Sequence, residues 1–409
     1  MTATLRADTV AQLKTQAQAL APGMTATRRD LHRHPERRLR LPRTQRVVLD
    51  ALAPLPVELQ VGTGLDSVIG VLRGDPAGPT VLLRADMDAL PVTEESGEEF
   101  SSENDLMHAC GHDLHTAALI GAAHLLSSVQ DLPGDVVLMF QPGEEDPGGA
   151  TIMLAEGVLE ASGRRVDAAY GLHVTTAQHG LFRTRPGALM AGVANLHITV
   201  TGLGGHGSSP HLAVDPVAAA AEIVLALQAF VTRRVYVFDP VVVNIGHLRA
   251  GGPINAIPES AYLGGSVRTF SDTSWALLRS QLPPFVRQIA AAHGCTADVR
   301  LELSCPATVN DAASTATVLA DLTAAFGPER VEHMDQPASI SEDFSYVLEE
   351  VPGTFILLGA CPPDLDPAGA PANHSSKVRF DDSVLPDQAV ALAAMALGGL
   401  HRLADGDGA

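Results

Sequence analysis

Met107-His108-Ala109-Cys110-Gly111-His112-Asp113-Leu114-His115 puts one thiol, three imidazoles and an aspartate within nine residues. Cys110 and His112 flank a glycine, whose backbone freedom lets both side chains turn toward one point. Thiolate and imidazole together suit zinc and similar borderline metals. From 114 to 129 the chain is rich in Ala and Leu and reads as a helix, so these donors sit on the loop that enters it. A free cysteine among solvated histidines is the plain alternative, and the flanking sequence weighs against it.

Upstream, residues 67–72 and 80–84 are short apolar runs that read as buried strands. The second runs into Ala85-Asp86-Met87-Asp88-Ala89-Leu90-Pro91. Downstream, 136–140 ends in Gln141-Pro142-Gly143-Glu144-Glu145, and 168–171 ends in Leu172-His173-Val174. Three successive strands thus finish in acidic residues or histidine. In a parallel sheet their carboxyl ends share one edge, where open α/β sheets build their sites.

The pattern changes near residue 190. Residues 196–201, 241–248, 262–269 and 297–303 read as strands, with helices over 216–232 and 274–293. That order is the β-α-β-β-α-β of a ferredoxin-like sandwich. The expected fold is α/β: a mainly parallel sheet flanked by helices, over 1–190 and 304–409, with an inserted α+β domain over 191–303. A helix at 316–326, a strand at 355–359 and a helix at 386–403 complete the first domain, and Asn373-His374-Ser375 precedes the last helix.

At the start, Val10, Leu13, Ala17 and Leu20 predict a helix over 8–33, interrupted near Pro22-Gly23. Residues 28–46 hold eight arginines with His32 and His34, which read as a solvated face. The chain of 409 residues carries 47 acidic against 27 basic side chains, a net charge of −20, which argues against nucleic acid or an anionic membrane as partner. Four cysteines without framework spacing, and no signal-like N-terminus, point to the cytoplasm. The most apolar window, 216–231, carries Glu222 and Gln228 and is too short to span a bilayer. The acidic tail 405–409 is expected to fray.

Cys110, His112, Glu145, His173 and His374 together could serve two metal ions, one group bridging. Such a pair polarises a carbonyl and lowers the pKa of water. Glu144 supplies the general base, since adjacent side chains diverge and one can face a metal while the other holds water. Asp88 could steady a ligand imidazole. Asp343, in Ser341-Glu342-Asp343-Phe344, is a supporting residue or a helix cap.

The motifs at 84–91, 107–115, 141–145 and 171–173, with 28–36, 202–216, 264–269 and 341–344, resemble the M20 family of metallopeptidases and amidohydrolases. Within it they look like the aminoacylase and hippurate hydrolase branch, which includes the auxin-conjugate hydrolases. The resemblance implies a dinuclear site hydrolysing an amide next to a free carboxylate, and a lid domain that often dimerises. It implies His112 and His173 on one ion, Glu145 and His374 on the other, Cys110 bridging, and Glu144 as base. Gly204-Gly205-His206-Gly207 resembles the lid-histidine motif, whose imidazole steadies the oxyanion. Arg268 and Asn255 match substrate-contacting positions, and an arginine fork suits a carboxylate.

Two stretches depart from the family pattern. After Pro35 the chain reads Glu36-Arg37-Arg38-Leu39-Arg40 instead of an apolar and acidic run, which leaves the acyl preference open. After His374 it reads Ser375-Ser376-Lys377 instead of Asn-Pro. The expected protein is a cytoplasmic homodimer or higher homo-oligomer, assembled through the inserted domain, that hydrolyses small N-acyl-L-amino acids with two divalent ions, zinc first, then manganese, cobalt or nickel. A dipeptidase or carboxypeptidase on the same site, a non-catalytic binding protein, and a thiol enzyme using Cys110 are the alternatives.

Overall fold

In the computed structural model of the chain, residues 5–146 and 148–405 are described. Most of the acidic tail expected to fray, 406–409, lies outside them. The chain divides into two compact units, Met1–Leu189 with Val309–Gln336 and Tyr346–Ala409, and Met190–Thr308 with Pro337–Ser345. The segment 337–345, placed with the first domain by sequence, packs with the second unit.

The first unit is built on an eight-stranded sheet. Its strands β1 (Val57–Val61), β2 (Val68–Leu72), β3 (Thr80–Asp86), β4 (Asp135–Gln141), β5 (Ala168–Thr175) and β6 (Phe182–Thr184) are joined by Gly353–Gly359 and Val331–His333. The spatial order is β1, β2, β4, β3, β5, Gly353–Gly359, β6, Val331–His333. The central strands β4, β3, β5 and Gly353–Gly359 run parallel, while β1 and β2 add antiparallel pairs, so the sheet is mixed. β3 and β4 are buried along their whole length because both faces are covered, which their unbroken apolar runs anticipate.

Helix α1 (Ala7–Arg33) is continuous through Pro22, contrary to the interruption expected from sequence. Pro22 removes a hydrogen bond, but burial of Val10, Leu13, Ala17, Met24 and Leu31 along one face outweighs it. Helix α2 (Pro42–Leu52) follows. Helix α3 (His112–Ser127) buries nearly every residue, packed against α1 and the C-terminal helix Leu385–Ala404. A helix apolar on all sides is stable only inside a core.

In the second unit a four-stranded antiparallel sheet has the order Val242–Ala250, Ser260–Thr269, Gly192–Thr201, Thr296–Cys305, with helices Pro216–Arg234 and Asp272–Ala292 packed on it. Pro216–Arg234 runs 19 residues, three past the window judged too short for a membrane, so length does not exclude a span. Its Ala219, Ala220, Ile223, Leu227 and Phe230 nevertheless belong to the core this unit builds on its own sheet. Among the described residues one other helical segment is as long and apolar, Asp382–Ala404, and 89% of its apolar window is buried.

Candidate metal centre

β3, β4 and β5 run parallel, with Arg84 paired to Met139 and to Gly171, so their carboxyl ends open on one edge. Gly111 sits at the N-terminus of α3 with φ +85°, and a Cβ there would lie 2.4 Å from Val174 Cγ2. Glycine at that position lets the loop press against β5 and present Cys110 and His112 to the strand ends. His374 reaches the same place from a distant loop. Its backbone N–H bonds Ala109 O at 2.9 Å and its φ is +72°, a left-handed conformation rare for a residue with a side chain.

Cys110 Sγ lies 3.2 Å from His374 Nε2 and 3.4 Å from His173 Nε2. His374 Nε2 stands 3.1 Å from Glu145 Oε1. His112 Nε2 is 3.9 Å from Glu145 Oε1 and 4.0 Å from Glu144 Oε2. Donor atoms of Cys110, Glu145 and His374 fall within 4.8 Å of one another, as do those of His112, Glu144 and Glu145. The structure thus brings together all five candidate ligands and the candidate base. Asp88 lies among them and accepts from Glu144 N at 3.0 Å and Glu145 N at 3.1 Å. Its oxygen is 3.6 Å from His112 Nδ1, so its firm bonds hold the glutamate loop.

The hydrogen bonds fix two tautomers. His173 Nδ1–H donates to Val174 O at 2.7 Å, leaving Nε2 unprotonated toward Cys110. His115 Nε2 accepts from Val174 N at 2.9 Å, so Nδ1–H donates to Asp86. Both nitrogens of His115 are therefore engaged, and of the three histidines in the motif only His112 faces the cluster with open nitrogens. His112 is fully buried, yet neither ring nitrogen makes a hydrogen bond.

Burial would raise the Asp86 carboxyl, but Arg84, His112 and His115 hold it well below the usual carboxylate range. Burial, reinforced by His115, pushes His173 well down. His112 goes the other way: burial disfavours its charge, but Asp86, Asp88 and Cys110 raise it well above an ordinary histidine. Hydrogen bonds to Cys110 and Glu145 push His374 up to about 10. Burial and then Glu145 raise the Cys110 thiol, which opposes a thiolate nucleophile in the metal-free chain. Without metal, protons on His112 and His374 supply positive charge to a buried group of acids. Bound cations can replace that charge, and the unbonded His112 nitrogens are donors waiting for one. The thiol, imidazole and carboxylate set fits two borderline divalent ions.

His206, Asn255, Arg268 and Asp343 belong to the second unit. There His206 pairs with Ala256 across a short antiparallel bridge, and Gly207 N donates to Asn255 O at 2.7 Å, so His206 and Asn255 are neighbours. His206 is exposed, and Ser208 N donates to its Nδ1 at 3.2 Å, which leaves Nε2 as the N–H donor. Arg268 Nη1 lies 3.4 Å from Ser341 Oγ, and Asp343 is buried two residues before the helix Ser345–Glu350.

Sequence reading left Asp86, His115 and Asn373 without roles. Asn373 Nδ2 donates to Val174 O at 3.1 Å and Cys110 O at 3.4 Å, tying the His374 loop to the metal loop. The only sequence signal for it is adjacency to His374. Within the arginine-rich stretch, expected as a solvated face, Arg28 and His32 are 1% and 3% exposed. Arg28 Nε and His32 Nδ1 meet Asp113 at 2.7 and 2.8 Å, bracing the residue after His112.

Known proteins share this architecture. The chain is 36% identical over 397 residues to thermostable carboxypeptidase 1 of Saccharolobus solfataricus, covering 95% of this chain and 98% of that protein. It is 35% identical over 391 residues to IAA-amino acid hydrolase ILR1-like 2 of Arabidopsis thaliana, covering 91% and 84%. The crystal structure of the Bacillus subtilis YXEP protein, a dinuclear metal binding peptidase from the M20 family, superposes with a TM-score of 0.81 at 30% identity, covering 94% and 99%. Residues 82–397 match the family described as Peptidase family M20/M25/M40. With its motif donors gathered at the sheet edge and this match over most of its length, the chain belongs to peptidase family M20/M25/M40.

Proposed function

We propose that the protein is a metal-dependent amidohydrolase that cleaves N-acyl-L-amino acids to a carboxylic acid and a free amino acid. The observation that carries this reading is the convergence of Cys110, His112, Glu145, His173 and His374 beside Glu144. Two divalent ions on those five residues, zinc by donor softness, would polarise the amide carbonyl and acidify a water. Glu144 takes the proton of the attacking water and delivers it to the leaving nitrogen. Asp88 holds the backbone of Glu144 and Glu145, so that base and ligand keep their divergent directions. To His206 we assign donation from Nε2–H to the developing oxyanion, and to Arg268 and Asn255 the substrate's carboxylate. The inserted unit is taken to serve as lid and as the contact of a homodimer. Four free, buried cysteines accord with a reducing, cytoplasmic setting.

Glu144→Gln keeps shape and removes the base. Turnover on acetyl- or benzoyl-amino acids should fall by about 10²–10⁴-fold with metal content unchanged. Full activity in that variant would refute the assignment. A second reading, a carboxypeptidase on the same site, is favoured by the likeness to the Saccharolobus enzyme. Faster cleavage of unblocked dipeptides than of acyl-amino acids would select it.

A further inference from the structure

We infer that Arg37 and Arg38 recognise a carboxylate at the far end of the acyl group, so that the preferred substrates are monoamides of dicarboxylic acids such as succinyl- or glutaryl-amino acids. This rests on the amidohydrolase reading above and extends it to the acyl side.

The segment 36–39 borders the centre within the first unit. Ala89 N, one residue past Asp88, donates to Glu36 O at 2.8 Å. Leu39 Cδ2 packs so closely on Gly143 that a Cβ there would lie 2.5 Å from it, and Gly143 precedes Glu144. Arg37 Nη2 and Arg38 Nε stand 3.2 and 3.3 Å from the same oxygen of Asp146, the residue after Glu145. Two guanidinium groups thus share one carboxylate beside the glutamate loop, leaving one positive charge in excess.

Arg40 and Arg43, which follow in the same stretch, carry no such excess. Arg40 pairs with Asp66 at 2.9 Å, and Arg43 grips both oxygens of Asp30. Arg37 Nε is buried and makes no hydrogen bond, and Arg38, 66% exposed at its side chain, has Asp146 as its one ion pair among the described residues. Arg38 also has φ +68°, so the chain reverses where the two guanidinium groups converge. Against a net charge of −20, an unmatched cation on the rim is a local feature and not a surface average. A guanidinium fork binds both oxygens of a carboxylate, which selects that group over a neutral amide of equal size. With Arg268 assigned to the amino-acid carboxylate, Arg37 and Arg38 fall to a second one.

The test compares N-succinyl with N-succinamoyl derivatives, which differ only in carboxylate against amide. Both are made on whichever L-amino acid is released fastest from its acetyl form. The kcat/KM ratio should favour succinyl by about tenfold, the effect of one hydrogen bond to a charged group. It should shrink as salt is raised, and fall to near one in Arg37→Gln/Arg38→Gln. Arg40→Gln, on the same stretch but paired away, should keep the ratio. Should the double variant fold poorly, the exposed Arg38→Gln alone should still lower it. A ratio near one in the unaltered protein, or a ratio that survives both substitutions, would overturn the inference while acetyl-amino-acid hydrolysis stood. Absence of hydrolysis on every acyl derivative, acetyl included, would bring down the amidohydrolase reading and this inference with it.

Discussion

The first turn of α3 separates two buried polar clusters that differ in one respect, the permanence of their positive charge. On one side Asp113 meets Arg28 at 2.7 Å and His32 at 2.8 Å, and His32 also meets Glu94 at 3.2 Å. Burial opposes the charge on His32, but Asp113 and Glu94 raise it, and His32 in turn helps hold Glu94 down at about 2. His108, pushed down to about 3 by burial, stays neutral beside them. Acids there are matched by Arg28, whose charge is permanent, and by His32, whose proton Asp113 and Glu94 hold in place. On the other side Asp86, Glu144, Glu145 and Cys110 gather round imidazoles, with Arg84 a fixed cation bonded to Asp86 among the described residues. The cluster's remaining positive charge is exchangeable, carried by protons or by metal ions. A cluster that cannot neutralise itself with its own arginines is the one that takes up a cation, while its neighbour serves as a brace.

The largest expected effect comes from chelation. Removing divalent ions should abolish turnover completely and leave the Arg28–Asp113 brace intact, so the metal-free chain stays folded by circular dichroism and regains activity on adding zinc. Activity that persists through exhaustive dialysis against chelator would instead favour Cys110 as nucleophile. Next is Arg28→Met, which leaves the buried Asp113 with His32 as its remaining cation among the described residues. Breaking a buried pair in this way costs about 3–5 kcal/mol, visible as a lower denaturation midpoint, while the folded fraction keeps its metal stoichiometry.

A third buried acid extends the contrast. Asp321 is 1% exposed, accepts one hydrogen bond from Leu5 N at 3.3 Å, and pairs with no cation among the described residues. Burial raises its carboxyl to about 7. Because the folded form holds the proton more tightly than the unfolded form, its contribution is most favourable below about pH 4. That contribution is lost as pH rises through about 7. Asp321→Asn should therefore stabilise the protein at pH 8 by about 2–4 kcal/mol and give almost nothing at pH 4. An equal shift in melting temperature at both pH values would contradict this. The smallest effect is expected for Asp88→Asn, which leaves one of the two glutamate amides without its acceptor. Metal affinity should drop roughly 10–100-fold in equilibrium dialysis, with little change in melting temperature of the metal-free protein.

Which side chains gather at the sheet edge was legible because the signal is local. A buried strand is an apolar run, and polar residues where it stops belong to the sheet edge, so Asp88, Glu145 and His173 could be placed before any coordinates. The alternation over 196–201 was equally legible as a half-exposed strand, which runs over Gly192–Thr201 in the structure. The brace was not visible. Nothing in the spacing of Arg28 and His32 says that they meet Asp113, about eighty residues away, and net acidity made a solvated face the natural reading. Pro22 misled for a related cause: local propensity marks a break, and burial along α1 overrides it.

By itself the sequence determined which chemical groups are available and that three strand ends present them, because apolar period and chain punctuation are properties of neighbouring residues. Tertiary structure decided which histidines keep open nitrogens. His115 spends both of its nitrogens on Asp86 and Val174, His108 lies in the brace region, and His112 alone of the three faces the glutamates unbonded. That choice depends on contacts between segments remote in the chain, whose register is set by packing α3 against the sheet and not by the order of residues along it.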